Sequence, residues 1–285
     1  MSKTAGFVDL CKAASEGTTN RVRLIEDKFL AFKIPLPPLD EQRRIVARIE
    51  QLAAKIEEAA GLRREAGAER QALFNSFLKE AFERESKNPG WVPKPIGDAA
   101  CIARGKFAFR PRNDPRFYGG NIPFIQIGDI SNSNRHIRQY SQTLNEKGLA
   151  ISRMFPKRTV VIVITGATVG VAGILTFEAC FPDSIVGMVA REHMAIPDFI
   201  YWALEYVKKA ALAEATQTTQ PNINLKNLER LRIPIPPLLE QRRIVAYLED
   251  FQAKADALKK LQAETAAELD ALMPSILDQA FRGEL

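Results

Sequence analysis

Histidine occurs twice in the 285 residues, at His136 and His193, and cysteine three times, at Cys11, Cys101 and Cys180. No two cysteines form a CxxC pair and only two histidines are available, so neither a zinc site nor a disulfide framework is expected. Scattered thiols suit a reducing compartment, and a cytoplasmic location is expected. There is no GxxxxGK[ST] loop, hence no nucleotide-driven motor in this chain. There is no Asn-Pro-Pro-aromatic motif for methylating a base amino group, and Asn88-Pro89-Gly90-Trp91 is a poor substitute. Gly166-Ala-Thr-Val-Gly170 lacks the strand–helix context and trailing glycine of a dinucleotide fingerprint. No Ser/His/Asp set or carboxylate pair can be proposed, and the N-terminus lacks the apolar core of a signal peptide. Thr159 to Phe177 carries no charge over nineteen residues, close to spanning length. Its β-branched residues and Gly-containing centre predict two buried strands joined by a turn, and no membrane helix. What these absences leave is a binder and organiser without chemistry of its own.

What the chain does have is an internal duplication. Ile34 to Glu50 reads IPLPPLDEQRRIVARIE and Ile233 to Glu249 reads IPIPPLLEQRRIVAYLE, with thirteen of seventeen positions identical at an offset of 199. The offset holds further on, where Leu73, Ser76, Leu78 and Ala81-Phe82 match Leu272, Ser275, Leu277 and Ala280-Phe281. Each copy opens on a proline-rich lead-in that forces extended backbone. A helix is expected just after it, with Asp40 as N-cap in the first copy and Glu41 or Glu240 in the first turn. Apolar residues then alternate in spacings of four and three: Ile45, Ile49, Leu52, Ile56 and Ala59, resuming at Leu73 and Phe77 in copy one. In copy two they are Ile244, Leu248, Phe251, Ala255, Leu258, Leu269, Leu272 and Ile276. That heptad seam predicts two long helices packed on each other with a left-handed twist. About forty residues of helix reach roughly 60 Å, too long for a compact core to cover. The seam turns polar at Arg63 and Gln262, which fixes register or marks where another protein docks, or else is local drift of the heptad. Gly61 and Gly67 lower helix propensity, and Pro274 is expected to kink the second helix.

Between the copies lies a segment of different character. Residues 90–232 hold 18 Lys or Arg against 11 Asp or Glu, so the whole net charge of +6 comes from there. Strands are predicted over Ile122–Ile130, Val160–Ile164, Val171–Leu175 and Ile185–Ala190, and a helix over Pro197–Ala215. Irregular alternation points to an α+β fold: a mixed α/β domain flanked by two long antiparallel coiled-coil helices. Three stretches could meet an anion. Arg104, Lys106, Arg110, Arg112 and Arg116, with Phe and Tyr between them, suit phosphate or guanine contact, or else form a solvated loop with its aromatics in the core. Arg135 and Arg138 follow a polar SNSN run. Gln217, Thr218, Thr219, Gln220 and Asn222 both donate and accept, which suits base edges; ordinary turn chemistry explains them equally.

At this point the residues resemble the specificity (S) subunit of type I restriction–modification systems. The resemblance rests on IPxPPLxEQRRIVAxxE in both copies, Tyr118-Gly-Gly-Asn-Ile-Pro-Phe-Ile-Gln126-Ile-Gly-Asp129-Ile130, Thr165-Gly-Ala-Thr168-Val-Gly170, Ser184-Ile-Val-Gly187 and Thr218-Thr-Gln-Pro-Asn-Ile223. It implies residues 40–86 and 240–285 as spacer helices and 87–239 as a target-recognition domain with the second lead-in. Residues 1–39 would be a remnant of a first recognition domain, its final helix and closing loop at Ala13–Lys33, with Gly17 to Asn20 standing where Gln217 to Gln220 stand in the second. The function implied is sequence-specific recognition of double-stranded DNA on behalf of methyltransferase (M) subunits and, through them, a restriction (R) subunit. The chain itself would be non-catalytic and without cofactor, S-adenosylmethionine, ATP and Mg being used by the partners. Thr165 and Thr168 join the DNA-binding candidates, and Glu41, Gln42, Arg43, Arg44, Glu240, Gln241, Arg242 and Arg243 are the candidates for partner docking. Two recognition domains are the family pattern, so the sequence reads as truncated to one. Self-association into a homodimer would restore two, while a fragment that binds M but no longer recognises DNA is the competing expectation.

Overall fold

The computed structural model describes residues 5–18, 21–33, 36–86, 91, 93–215 and 225–285. They divide into two units, Met1–Ala72 with Ala253–Leu285, and Leu73–Gln252. In chain order the first unit opens with α1 (Ala5–Ala13), a hairpin of β1 (Ser15–Thr18) and β2 (Arg21–Leu24), and α2 (Glu26–Leu30). The expected closing loop after Ala13 is therefore a paired hairpin, with Ser15 opposite Leu24. The long helix α3 (Leu39–Ser86) follows.

The second unit holds β3 (Pro93–Pro95), α4 (Ile96–Ala99), β4 (Ala100–Arg104), β5 (Tyr118–Phe124), α5 (Ile127–Ser131), β6 (His136–Ile137), β7 (Gln142–Leu144) and α6 (Glu146–Ala150). It continues with β8 (Met154–Phe155), β9 (Val160–Val163), β10 (Ala172–Leu175), β11 (Ala179–Cys180), β12 (Ile185–Ala190), α7 (Pro197–Ala215), α8 (Leu225–Arg230) and β13 (Arg232–Pro234), and leads into α9 (Leu238–Arg282). The strands form a five-stranded sheet, β4-β12-β9-β10-β6, and a four-stranded sheet, β7-β5-β11-β8, with a short β13-β3 ribbon. The uncharged run is the antiparallel pair β9–β10, joined by a turn in which Gly166 and Gly170 take φ of 89° and 85°. No helix among the described residues is long and apolar enough to cross a membrane.

Period-two alternation sorts the side chains of β9. Val160, Ile162 and Ile164 face a core built with Phe199, Trp202, Leu204, Phe82 and Leu248. Val161 and Val163 face a second core with Phe155, Phe181, Ile125 and Leu175. Gly187 lies in that second layer, where an added Cβ would sit 2.7 Å from the Phe155 ring and 2.9 Å from Phe181.

Both long helices begin where their proline lead-ins end. The N–H groups of Gln42 and Gln241 donate to the carbonyls of Pro38 and Pro237, at 3.0 and 3.1 Å. Asp40 thus lies inside the first turn of α3 and is not its N-cap. In the first unit Arg44 donates to the Leu285 carbonyl (2.8 Å) and Arg70 to Gln262 (2.9 Å), so the helices run antiparallel there. In the second unit Phe74 meets Phe251 (5.9 Å between centroids) and Phe77 meets Tyr247 (5.5 Å), in the same sense.

The predicted seam holds over Ile45, Ile49, Leu52, Ile56 and Ala59, all half-buried. Further along it holds at Phe77, Phe251, Ala255, Leu269 and Ile276, which are half-buried, but is displaced at three positions. Leu73, Leu258 and Leu272 are 52%, 47% and 45% exposed, while Phe74, Ala266, Met273 and Ala280 turn inward. A straight helix drifts about 20° per heptad against a strict seven-residue repeat, which moves the inner position on by one. Helix α9 runs through Pro274 to Arg282.

Candidate nucleic-acid interface

The first cationic stretch leaves β4 at Arg104 and is pressed onto residues 181–185 at once. Gly105 donates its N–H to the Ile185 carbonyl (2.9 Å). A Cβ at Gly105 would lie 2.3 Å from the Phe181 carbonyl oxygen and 2.4 Å from that of Pro182, so only glycine fits this close approach. Phe107 is buried against Phe117, Tyr118 and Phe124, with Phe109 packed nearby. The aromatics of the motif therefore anchor the loop, and its cations stay at the surface.

Those cations divide into two groups. Arg110 (3.1 Å) and Arg112 both pair with Asp183, and Arg110 also donates to the Phe107 and Phe109 carbonyls at 2.6 and 3.0 Å. Arg116 pairs with Asp114 at 2.7 Å and lies over the rings of Phe109 and Phe117. Hydrogen bonds from Arg116 hold the Asp114 carboxyl below its usual range, and the carboxylate in turn raises the guanidinium. Arg104 and Lys106 are exposed and make no ion pair among the described residues.

Arg135 and Arg138 part company. Arg138 is exposed and lines a polar cleft of about 270 Å³ with Asp129, Asn132, Ser133, Asn134, His136 and Gln139. Arg135 turns inward, contrary to the sequence expectation of a DNA contact. Its side chain is 15% exposed, bonded to Glu249 at 2.6 Å, 3.8 Å from Asp198, and over the rings of Trp202 and Tyr201. Asp198 also holds Arg158 (2.8 Å) and faces His136 at 3.7 Å. Burial and the neighbouring Arg135 push His136 below its ordinary value. Only His136–Ile137 of this run is strand: Arg135 stands before it with a left-handed φ of 66°, and Arg138 follows it.

Thr165 and Thr168 lie half-buried in the β9–β10 turn. Ile164, next to Thr165, donates to the Ser184 carbonyl (3.0 Å) beside Asp183, so this turn borders the cation loop. Gln217, Thr218, Thr219, Gln220 and Asn222 lie outside the described residues.

A larger cleft, of about 720 Å³, is lined by Arg112, Asn113, Pro115, Tyr118, Gly119, Gln126, Gln142 and Thr143. Gln126 Nε2 donates to Gln142 Oε1 at 2.9 Å. One carboxylate oxygen of Asp129 accepts from the Gln126 N–H (2.8 Å) and from the Ser141 hydroxyl (3.1 Å). Apart from Arg112, the sequence reading assigned no role to these polar groups. Gln126 and Asp129 were legible only as part of the Tyr118–Ile130 motif that carries the resemblance, and Ser141, Gln142 and Thr143 gave no signal of their own.

At the helix starts, Glu41 pairs with Arg44 (2.7 Å) and Glu240 with Arg243 (2.9 Å), while Arg43 reaches Asp40 at 3.4 Å. Arg43, Arg44, Arg242 and Arg243 are exposed. Gln42 donates to the Pro37 carbonyl at 2.7 Å. Gln241 makes the matching bond to Pro236 (2.8 Å) and further bonds with the Met194 carbonyl (2.8 Å) and the Ile196 N–H (3.0 Å). It is fully buried, so the expectation that Gln241 meets a partner is corrected: it is an internal latch.

A family model described as the type I restriction modification DNA specificity domain matches residues 8–65 and 88–267. The chain belongs to that family. It is 24% identical over 292 residues to the Type I restriction enzyme EcoBI specificity subunit of Escherichia coli, covering 92% of this chain and 60% of the relative. A chain from a structural study of assembly and conformational transition of the type I R-M system aligns with a TM-score of 0.80 at 31% identity, over 99% of this chain and 69% of that one. The crystal structure of the HsdS subunit from Thermoanaerobacter tengcongensis aligns at 0.62 and 30% identity, over 99% and 68%. The chain thus spans about 60% of the length of curated relatives that it matches. These relatives are specificity subunits of type I restriction enzymes.

Proposed function

We propose that this chain recognises a DNA sequence for a type I restriction–modification complex, bringing methyltransferase and endonuclease subunits to the site. The observation that carries this is the set of exposed cations that make no ion pair among the described residues, Arg104, Lys106 and Arg138, on the unit that most of the family match covers. They are free to neutralise phosphates, whereas Arg110, Arg112 and Arg116 are held by carboxylates and would serve by position. S-adenosylmethionine, ATP and Mg belong to the partner subunits in this reading. Arg43, Arg44, Arg242 and Arg243, exposed at the helix starts, are the candidates to meet those partners.

The test is duplex binding by the full chain, with and without the methyltransferase subunit, across a salt series. Each phosphate contact contributes roughly 0.9 to the slope of log affinity against log salt. The Arg104→Ala/Lys106→Ala/Arg138→Ala variant is expected to lower that slope by about 3. Salt-insensitive binding, or an unchanged slope, would overturn the proposal.

A further inference from the structure

We propose that the Gln126–Gln142 amide pair reads a base edge, and that Asp129 is the positioning residue that holds the pair in place. This rests on the reading of the chain as a DNA-recognition subunit and assigns within it the residues that discriminate sequence.

Three observations carry the assignment. The two amides face each other across neighbouring strand ends at 2.9 Å, on the wall of the 720 Å³ cleft. In that bond Gln126 is the donor, so Gln142 keeps both of its own N–H donors for a ligand. Gln142 is exposed, and its amide makes no other hydrogen bond among the described residues. The pair is also fixed from behind. A single oxygen of Asp129 accepts from the backbone N–H of Gln126 and from the hydroxyl of Ser141, the residue preceding Gln142. One carboxylate therefore orders both strand ends, which lowers the entropy lost when the amides engage a ligand.

An amide suits a base better than a phosphate. It presents donor and acceptor together, the pattern with which Gln pairs with adenine in the major groove, whereas a phosphate only accepts. Cations are available for phosphates at Arg104, Lys106 and Arg138, so contact with the backbone does not require the amides.

The experiment is selection of binding sites by the full chain from a randomised duplex library, followed by salt titration on the enriched sequence. Gln142→Ala, at an exposed position, is expected to relax preference at one base position by roughly fivefold to a hundredfold, leaving the salt slope as in the parent. Asp129→Asn is expected to relax the same position, and Lys106→Ala to weaken all sequences alike and lower the slope by about 1. If Gln142→Ala keeps the full motif, or keeps it and lowers the slope, the base-reading role is wrong although DNA recognition stands. If the parent itself enriches no motif, with or without the methyltransferase subunit, the functional reading falls and this assignment falls with it.

Discussion

Replacing Arg135 by Ala tests whether the inward-turned arginine fastens the recognition unit together. Its guanidinium bonds Glu249 on α9 at 2.6 Å, lies 3.8 Å from Asp198 on α7, and covers the Trp202 and Tyr201 rings at 5.5 and 5.9 Å. Breaking a fully buried ion pair costs about 3–5 kcal/mol, but this case is milder. Glu249 is 41% exposed and is rehydrated, and Asp198 keeps Arg158 at 2.8 Å. The pair then contributes about 1 kcal/mol and the ring contacts about another 1 kcal/mol, so a loss of about 2 kcal/mol is expected. The backbone at 135 has a φ of 66°, a strain that Arg and Ala bear alike, so it cancels in the comparison.

Both tryptophans, Trp91 and Trp202, belong to the second unit, so fluorescence during urea unfolding reports that unit by itself. With a slope of about 2 kcal/mol/M for a unit of this size, the midpoint is expected to fall by about 1 M. Arg112→Ala, which breaks a pair whose members are 40% and 46% exposed, is expected to move it by less than about 0.3 M. A double-mutant cycle with Glu249→Ala isolates the ion pair. If Arg135→Ala moves the midpoint no more than Arg112→Ala, or if the two changes add without coupling, the fastening role is refuted.

Gln241→Ala is expected to cost about 2–4 kcal/mol, because it strands the Ile196 N–H and the Met194 and Pro236 carbonyls. Gln42→Ala, losing one half-exposed bond to Pro37, is expected to cost about 0.5–1 kcal/mol; tryptophan fluorescence reads the first and helical dichroism the second. Gly187→Ala forces a methyl against the stacked Phe155 and Phe181 rings and is expected to destabilise by about 1–3 kcal/mol, measured as a lower urea midpoint. Burial raises the Glu205 carboxyl above its ordinary 4.5, outweighing Lys208. The folded state thus holds that proton more tightly, and stability is lost as pH rises from the unfolded value through the raised one. Glu205→Gln is therefore expected to raise the melting temperature at pH 7, with the gain vanishing below about pH 4.

Elements governed by local periodicity were legible in the sequence. The apolar spacing through Ile200, Ala203, Leu204 and Val207 predicts the helix that spans Pro197–Ala215, and the β-branched runs predict β9, β10 and β12. Ile122–Ile130 was harder, since its apolar residues fit a strand throughout. The strand instead spans Tyr118–Phe124, and the chain turns into a helix at Ile127. There the Asp129 side chain takes the Gln126 N–H, a short-range bond that competes with the ladder. The site was the least legible part. Whether an arginine is free depends on carboxylates far along the chain: Asp183 lies 73 residues from Arg110, and Glu249 lies 114 from Arg135. Composition can count such charges but cannot pair them.

The duplicated EQRR turns show where a shared sequence stops determining a shared role. Both copies make the same local bonds: Gln to the carbonyl of the proline five residues back, and Glu to the Arg three residues on. These are bonds of a helix start. The Pro37 and Pro236 carbonyls lie one residue ahead of those that accept the first helical N–H groups, and the glutamine side chain supplies the donor that the helix does not. The motif is thus explained at its glutamine by helix initiation, with no partner required. Only the second copy meets residues 194–196, and that contact turns a half-buried cap into a fully buried latch. In the proposed docking role, these turns would meet a partner through the groups that stay exposed. Arg43, Arg44, Arg242 and Arg243, with the exposed Leu36, Leu39 and Leu239, fit that condition, whereas Gln241 does not.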